Sequence, residues 1–68
     1  MDINNIFTYH SPTQDQIPKY EAIREKAKEL GEVIVANTPP SADQTAAIRL
    51  LREAVMTANA SIALGGVL

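Results

Sequence analysis

The chain has 68 residues, of which 46% are hydrophobic, with a formal net charge of −2 and no cysteine. At this length a domain folding alone buries only about 60% of the surface of its unfolded chain, so a monomer has a thin core. Disulfides and thiolate-bound metals are excluded, and the single histidine cannot make a metal site. The net negative charge excludes the broad positive surface with which proteins bind DNA or RNA non-specifically. We expect no metal, no cofactor and no DNA or RNA partner, and self-association as the remaining source of stability.

No apolar run approaches the ~18 residues that a membrane span needs, and no basic stretch precedes an apolar run at the N-terminus. The sequence therefore predicts neither a signal peptide nor a membrane partner. We expect a soluble intracellular protein.

Residues 1–16 form a predicted N-terminal arm with room for one short helical turn. Its polar and turn-forming residues surround four apolar ones, which are Ile3, Ile6, Phe7 and Tyr9. That apolar content is too high for a disordered tail, so we expect the arm to dock on another surface.

A first long helix is predicted over residues 18–37. Apolar residues recur there at steps of three and four, the spacing of one amphipathic helix face. They are Tyr20, Ile23, Ala27, Leu30 and Ile34. Pro18 suits the first turn, and Thr38 before Pro39 and Pro40 ends the helix because a residue preceding proline leaves the α region.

A second long helix is predicted over residues 41–64. Ser41 and Gln44 have the spacing of a capping box, in which each side chain binds the other residue's free backbone N–H. The apolar face repeats at the same steps, through Ile48, Leu51, Val55, Ala58 and Ile62. The turn after residue 37 is short, so the two helices are predicted to lie antiparallel as a hairpin.

A second stripe of small and apolar residues runs along the second helix. It consists of Ala47, Leu50, Ala54 and Ser61. One hairpin cannot cover both faces of this helix. The predicted fold is therefore an all-α single domain, residues 1–68, in which an antiparallel helical hairpin with a short N-terminal arm or helix assembles into a helical homo-oligomer.

The sequence contains no recognisable pair of a nucleophile and a base, and no pair of carboxylates expected to converge. His10 lies in a loop, and Asp15 is the nearest carboxylate that could orient it as a general base. We therefore predict that the protein is not an enzyme.

Three cations and an aromatic residue are candidates for ligand binding. Arg24 and Lys28 are stacked neighbours on one helix edge, where an anion would relieve their repulsion, and Gly31 one turn further permits a close approach. Plain helix packing is the simpler explanation of Gly31, and the charges of helix one, Lys26 among them, also suit an ordinary solvated face. Tyr9 is either a core aromatic that anchors the arm or a ring that stacks on a nucleobase.

The order of segments resembles a known phage family. The matching segments are Phe7-Thr8-Tyr9-His10-Ser11-Pro12, Tyr20-Glu21-Ala22-Ile23-Arg24, Ala27-Lys28-Glu29-Leu30, Thr38-Pro39-Pro40-Ser41, Glu53-Ala54-Val55-Met56 and Ala58-Asn59-Ala60. This order is similar to that of the hairpin-domain family of anti-CBASS and anti-Thoeris proteins, which sequester the cyclic nucleotide messengers of bacterial immunity.

The resemblance implies a sponge that acts in the cytoplasm of the infected bacterial host. It also implies a hexamer in which cyclic dinucleotides lie between neighbouring chains. The residues that match the family's ligand contacts are Tyr9 and one of Arg24, Lys26 and Lys28. Cyclic trinucleotides are a second ligand class of the family, bound through a basic residue near the end of the second helix. Here the last basic residue is Arg52, so that second site lacks its cation.

Two other interpretations of the sequence stay open. The hairpin could bind a partner protein through Ala47, Leu50 and Ala54, as a small phage inhibitor of a host protein would, or it could be a purely structural oligomer. The cations beside Gly31 distinguish these classes, because a nucleotide pocket uses them and a protein-binding hairpin can leave them idle.

Overall fold

The computed structural model describes residues 2–66, so Met1 of the predicted arm, and Val67 and Leu68 at the other end of the predicted domain, lie outside the described residues. Three helices follow one another, α1 (Ile3–Ile6), α2 (Ile17–Asn37) and α3 (Ala42–Ala63), with no strand in this range. The predicted all-α fold is confirmed, with α2 and α3 as the two long helices of a hairpin. None of the helices within these bounds has the length and apolar character that crossing a membrane requires.

The start of α2 is built by a turn that begins at Thr13. The N–H groups of Gln16 and Ile17 donate to the Thr13 carbonyl at 3.1 and 3.2 Å. The Thr13 N–H in turn donates to Oε1 of Gln16 at 3.0 Å. Pro18 lies in the first turn, where its missing N–H costs no helical hydrogen bond. The helix begins one residue before its predicted start and ends at the predicted residue.

The connection between α2 and α3 is closed by side chains. Thr38 is extended, with φ −126° and ψ 146°, as expected before a proline, and its hydroxyl donates to the Ile34 carbonyl at 2.7 Å. Ser41 is the N-cap of α3, because its Oγ accepts the Gln44 N–H at 3.1 Å. The chain therefore leaves one helix and enters the next with its terminal backbone groups partly satisfied.

The second hydrogen bond of the predicted capping box was to run from the Ser41 N–H to the Gln44 side chain, and this prediction is wrong. Nε2 of Gln44 donates to the carbonyl of Thr38 at 3.0 Å and to its hydroxyl at 3.1 Å, so the amide turns away from Ser41 and toward the end of α2. The short connection before Ser41 brings these two acceptors of Thr38 within reach of the Gln44 amide. Gln44 thus ties the two helices together at the turn.

The C-terminus of α3 is a Schellman motif. The N–H of Gly66 donates to the Ser61 carbonyl at 3.0 Å, and the N–H of Gly65 donates to the Ile62 carbonyl at 3.2 Å. Both glycines have positive φ, 61° and 80°, which a residue with a Cβ adopts only at a cost. The helix itself spans Ala42–Ala63, one residue shorter at each end than the predicted segment.

The two long helices pack along one face each. On α2 the half-buried residues are Tyr20, Ile23, Ala27, Gly31 and Ile34. On α3 the predicted residues Ile48, Leu51, Val55, Ala58 and Ile62 are all half-buried. Leu30 was predicted on the α2 face, and this is wrong because its side chain is 49% exposed. Gly31 takes that place, and a Cβ atom there would lie 3.7 Å from Cδ2 of Leu51.

The arm is a separate, self-capped unit. Oδ1 of Asp2 accepts the Asn5 N–H at 3.1 Å and caps the start of α1. No Cα atom of α1 lies within 8 Å of a Cα atom of α2 or α3. Farther along the arm, Nε2 of Gln16 donates to the Ile62 carbonyl at 3.2 Å, beside the Schellman motif. The arm is therefore fastened near the open end of the hairpin, while Ile3, Phe7 and Tyr9 stay exposed and Ile6 is half-buried.

The isolated chain is thin and exposed. Its dimensions are 42 × 25 × 15 Å, and no side chain among residues 2–66 is buried. The accessible surface is 5437 Å². A compact domain of this size exposes about 4,200 Å², so the chain exposes about 1,200 Å² more than a compact monomer would.

Candidate functional site

The residues immediately before and after Tyr9 in the chain each form a hydrogen bond to α1. Before it, the Thr8 hydroxyl donates to the Asn4 carbonyl. After it, Nε2 of His10 lies 2.7 Å from the Asn5 carbonyl oxygen. A carbonyl oxygen can only accept, so this nitrogen carries the hydrogen. The main chain around Tyr9 is thus fastened at both ends.

The Tyr9 ring itself is 83% exposed, and the neighbouring Phe7 is 81% exposed. An aromatic that anchored the arm in its own core would lose most of its surface to neighbours. The structure therefore does not place Tyr9 in a core formed by its own chain. The exposed ring has a face available for stacking.

His10 and Asp15 are engaged separately. His10 uses Nε2 in the bond to Asn5, and Oδ1 of Asp15 accepts a hydrogen bond from the Thr13 hydroxyl at 2.6 Å. That hydroxyl is the main cause that lowers the pKa of the Asp15 carboxyl below its ordinary value of 3.8. Asp15 therefore shapes the turn before α2 and is not the orienting partner of His10 that the sequence allowed.

The three candidate cations of α2 are all exposed but lie on two sides of the helix. Successive residues are about 100° apart, so Arg24 and Lys28 are nearly in line and Lys26 is about 200° from Arg24. Nζ of Lys26 forms a salt bridge with Oε2 of Glu29 at 3.2 Å, with 80% of the lysine side chain exposed. Such an exposed pair contributes little to stability, but it gives Lys26 a partner on the solvated face.

A shallow groove of about 530 Å³ lies beside Arg24's edge of the helix, between α2 and α3. Its lining residues are Lys28, Gly31, Glu32, Val35, Ala36 and Ile48. Gly31 opens the groove because it has no side chain, and Lys28 supplies a positive charge at its border. The groove thus combines apolar residues with one predicted cation, Lys28, and one carboxylate, Glu32.

The structure does not join Tyr9 to these cations within one chain. Among residues 2–66 no hydrogen bond or salt bridge links Tyr9 to Arg24, Lys26 or Lys28. Any ligand that used both groups would have to bridge the arm and the helix edge, either in one chain or across two.

The hydrogen bonds that shape the arm were not predicted from the sequence. Thr8, His10 and Gln16 act through backbone carbonyls, and such contacts leave no periodic signal because they depend on how the chain folds back. The Thr13 and Gln16 pair has the capping-box spacing, and that signal could have marked the turn before α2.

The comparisons with known proteins identify the family. The family model described as "Acb2/Tad1, hairpin domain" matches residues 1–63. The chain belongs to the Acb2/Tad1 hairpin family. The predicted resemblance is thereby confirmed, and the membership is consistent with anti-defence sequestration of cyclic nucleotides. No curated protein and no solved structure matches the chain.

Within this Acb2/Tad1 hairpin, the end of the second helix lacks the basic residue that the resemblance implied for a trinucleotide site. The last turn of α3 carries no basic residue, and Arg52 lies three turns earlier. The carbonyls at that end are used by the Schellman glycines and by Gln16. The candidate site is therefore the exposed Tyr9 ring together with the cations of α2.

Proposed function

We propose that this protein binds and sequesters cyclic oligonucleotide second messengers, cyclic dinucleotides above all, without altering them chemically. It does so in the cytoplasm of an infected bacterium, so that a phage evades CBASS-type immunity. The observation that carries the proposal, beside the family match, is the Tyr9 ring, 83% exposed on a fastened backbone. A sponge works by mass action, so abundance and affinity replace turnover.

Assembly into a homo-oligomer is part of this proposal, with the hexamer of the resembling sponges as the expected size. Each chain exposes about 1,200 Å² more than a compact domain, and a standard interface covers about 800 Å² per partner. The excess is enough for one standard interface and about half of a second, so it supports association with at least one neighbouring chain. Light scattering at low micromolar concentration should find no monomer, and a folded, stable monomer would contradict the assembly.

The chemistry of a cyclic dinucleotide suits these groups. Its bases offer flat π-faces to the Tyr9 ring, and its phosphates offer anionic oxygens to a guanidinium or an ammonium group. The protein as a whole carries a net charge of −2, so long-range attraction does not hold such an anion. The binding energy must come from local contacts, and a cation on the α2 edge is the matching local group.

Arg24 and Lys28 are better placed than Lys26 to meet a phosphate. They share one edge of α2, and Lys28 borders the groove beside Gly31. Lys26 faces away from that edge and is paired with Glu29 at 3.2 Å. A ligand would have to compete with Glu29 for Lys26, whereas the other two cations have no salt bridge among residues 2–66.

Calorimetry with cyclic dinucleotides tests the site. Tyr9→Ala should weaken binding about five- to hundredfold, since stacking contributes about 1–3 kcal/mol per base. Removing the phosphate-binding cation should cost about 1.5–3 kcal/mol and make binding less sensitive to salt. The charge removals are Arg24→Ala, Lys26→Ala and Lys28→Ala, and we expect Lys26→Ala to be the mildest.

Lys19→Ala is the matched control, because it removes the same charge from an exposed position on α2. It should bind like the wild-type chain. If Tyr9→Ala and all three charge removals also bind like wild type, with the oligomer intact, the site lies elsewhere. Ligand recovered after heating the complex should be intact, and linear or shortened products would mean that the protein is an enzyme.

A second candidate function is supported by Leu50, which is 63% exposed on a stripe with the exposed Ala54 and the half-buried Ala47. A helical hairpin that binds a host protein would present such a stripe. Leu50→Glu distinguishes the two functions, because it should dissociate a self-assembled sponge. Retention of the oligomer in that variant, together with no cyclic dinucleotide binding by the wild type, would favour the protein-binding module.

A further inference from the structure

We infer that His10 is a positioning residue for Tyr9, which it holds ready for the ligand through the bond from its Nε2–H to the Asn5 carbonyl. This inference rests on the proposed function, because it assigns to His10 a role in the ligand affinity that Tyr9 provides. His10 itself need not touch the ligand.

The fastening on the C-terminal side of Tyr9 depends on His10. Thr8 donates through its N–H to the Asn5 carbonyl at 3.4 Å and through its hydroxyl to Asn4, and both bonds lie before Tyr9. After Tyr9, the His10 bond of 2.7 Å is the next one, and the following hydrogen bonds of the described chain begin at Thr13. Without His10 the segment from Tyr9 to Pro12 would have no fastening of its own.

The burial pattern agrees with this role. His10 is half-buried, whereas the rings of Phe7 and Tyr9 on the same arm are more than four-fifths exposed. The imidazole therefore turns inward against α1 while the two aromatic rings face out. The described residues contain no cluster of potential metal ligands around it.

A fastened backbone improves affinity because binding then orders less of the chain. A loose segment loses conformational entropy when its tyrosine is immobilised against a base, and that loss opposes binding. In the observed arm the loop from Asn5 to His10 is already closed before any ligand arrives. To form this bond, the side chain at position 10 must place a hydrogen-bond donor where Nε2 of His10 lies.

Two substitutions separate this donor from other properties of the residue. His10→Ala removes the bond and should weaken cyclic dinucleotide binding about two- to twelvefold, the range expected for one neutral hydrogen bond. His10→Gln places an amide donor near the position of Nε2 and should recover most of the affinity. His10→Asn is the matched control, because its shorter amide does not reach Asn5 and should behave like His10→Ala.

A double-substitution cycle with Tyr9 decides whether His10 acts through the tyrosine. If it does, adding His10→Ala to the Tyr9→Ala variant causes no further loss of affinity, measured by calorimetry with the oligomer intact. Additive losses would mean an independent contact and would overturn the inference. Binding by His10→Ala equal to that of wild type would overturn it as well, and so would equal losses in His10→Gln and His10→Ala.

Failure of the proposed function gives a different result. If Tyr9→Ala itself binds like wild type, the ligand site at Tyr9 is wrong, and the role of His10 falls with it. If Tyr9→Ala loses affinity but His10→Ala does not, the sponge stands and the inference about His10 fails alone. The ligand-free protein provides an independent check, because nitrogen NMR at neutral pH should find the His10 tautomer protonated at Nε2, and the Nδ1 tautomer would overturn the geometry.

Discussion

Gly31→Ala should stabilise the protein. Gly31 lies inside α2 with ordinary helical backbone, and a Cβ atom there would lie 3.7 Å from Cδ2 of Leu51, an ordinary van der Waals distance. Alanine is favoured over glycine in a helix interior by about 1 kcal/mol. Partial burial of the new methyl group against Leu51 adds a fraction of the roughly 0.8 kcal/mol of a buried methylene. The free energy of unfolding should therefore rise by about 1–1.5 kcal/mol.

Thermal unfolding of the ligand-free protein at fixed chain concentration measures this gain, which corresponds to a Tm increase of about 4–8 °C per kcal/mol. Ala22→Gly is the matched control, because Ala22 is exposed on α2 and should show the cost of glycine without any contact. Destabilisation by Gly31→Ala would refute the reasoning, since it would mean that a neighbouring backbone lies against Gly31. A loss of ligand affinity in a stabilised Gly31→Ala variant would indicate that the ligand enters the groove.

Three further predictions concern stability. Ser41→Ala removes the N-cap of α3 and should lower the free energy of unfolding by about 1 kcal/mol, measured by urea unfolding, and an unchanged midpoint would contradict the cap. Gly65→Ala forces a Cβ into φ 61° and should cost about 1–2 kcal/mol in the same assay, whereas a stabilised variant would contradict the Schellman geometry. The Asp15 carboxyl has a folded-state pKa below 3.8, so its contribution to stability is present above the unfolded-state pKa and is lost as the pH falls through the folded-state pKa. NMR titration should show this lowered pKa, and Thr13→Val should raise it toward the ordinary value.

The placement of the helices follows from local sequence. Pro18, the prolines after Thr38, and the paired glycines each act on the backbone of their own turn, so their effects do not depend on the rest of the fold. The observed helices, Ile17–Asn37 and Ala42–Ala63, differ from the predicted segments by single residues at their ends. The apolar period likewise marked the α3 face correctly, because every residue of that face has a side chain large enough to count.

Packing between the helices was less predictable. Leu30 continued the apolar period, yet Leu30 is exposed and Gly31 faces Leu51. Two helices approach most closely where a side chain is missing. A search for apolar residues does not count glycine, so it could not find this position. Gln44 matched a local capping motif, yet its amide serves the carbonyl of Thr38 across the turn. In both cases the position of the side chain is decided by a contact between the two helices or across their connection, and the local sequence pattern does not contain that contact.

The candidate site divides in the same way. Tyr9 and the cations of α2 came from residue types and from the family resemblance, both of which reside in the sequence. The tertiary structure alone decided that Tyr9 is exposed and that Lys28 borders a groove. It also gave His10 its place against Asn5. Sequence therefore determined which helices form and which chemistry is present, because those depend on near neighbours, whereas exposure and partnership depend on how distant parts of the chain meet.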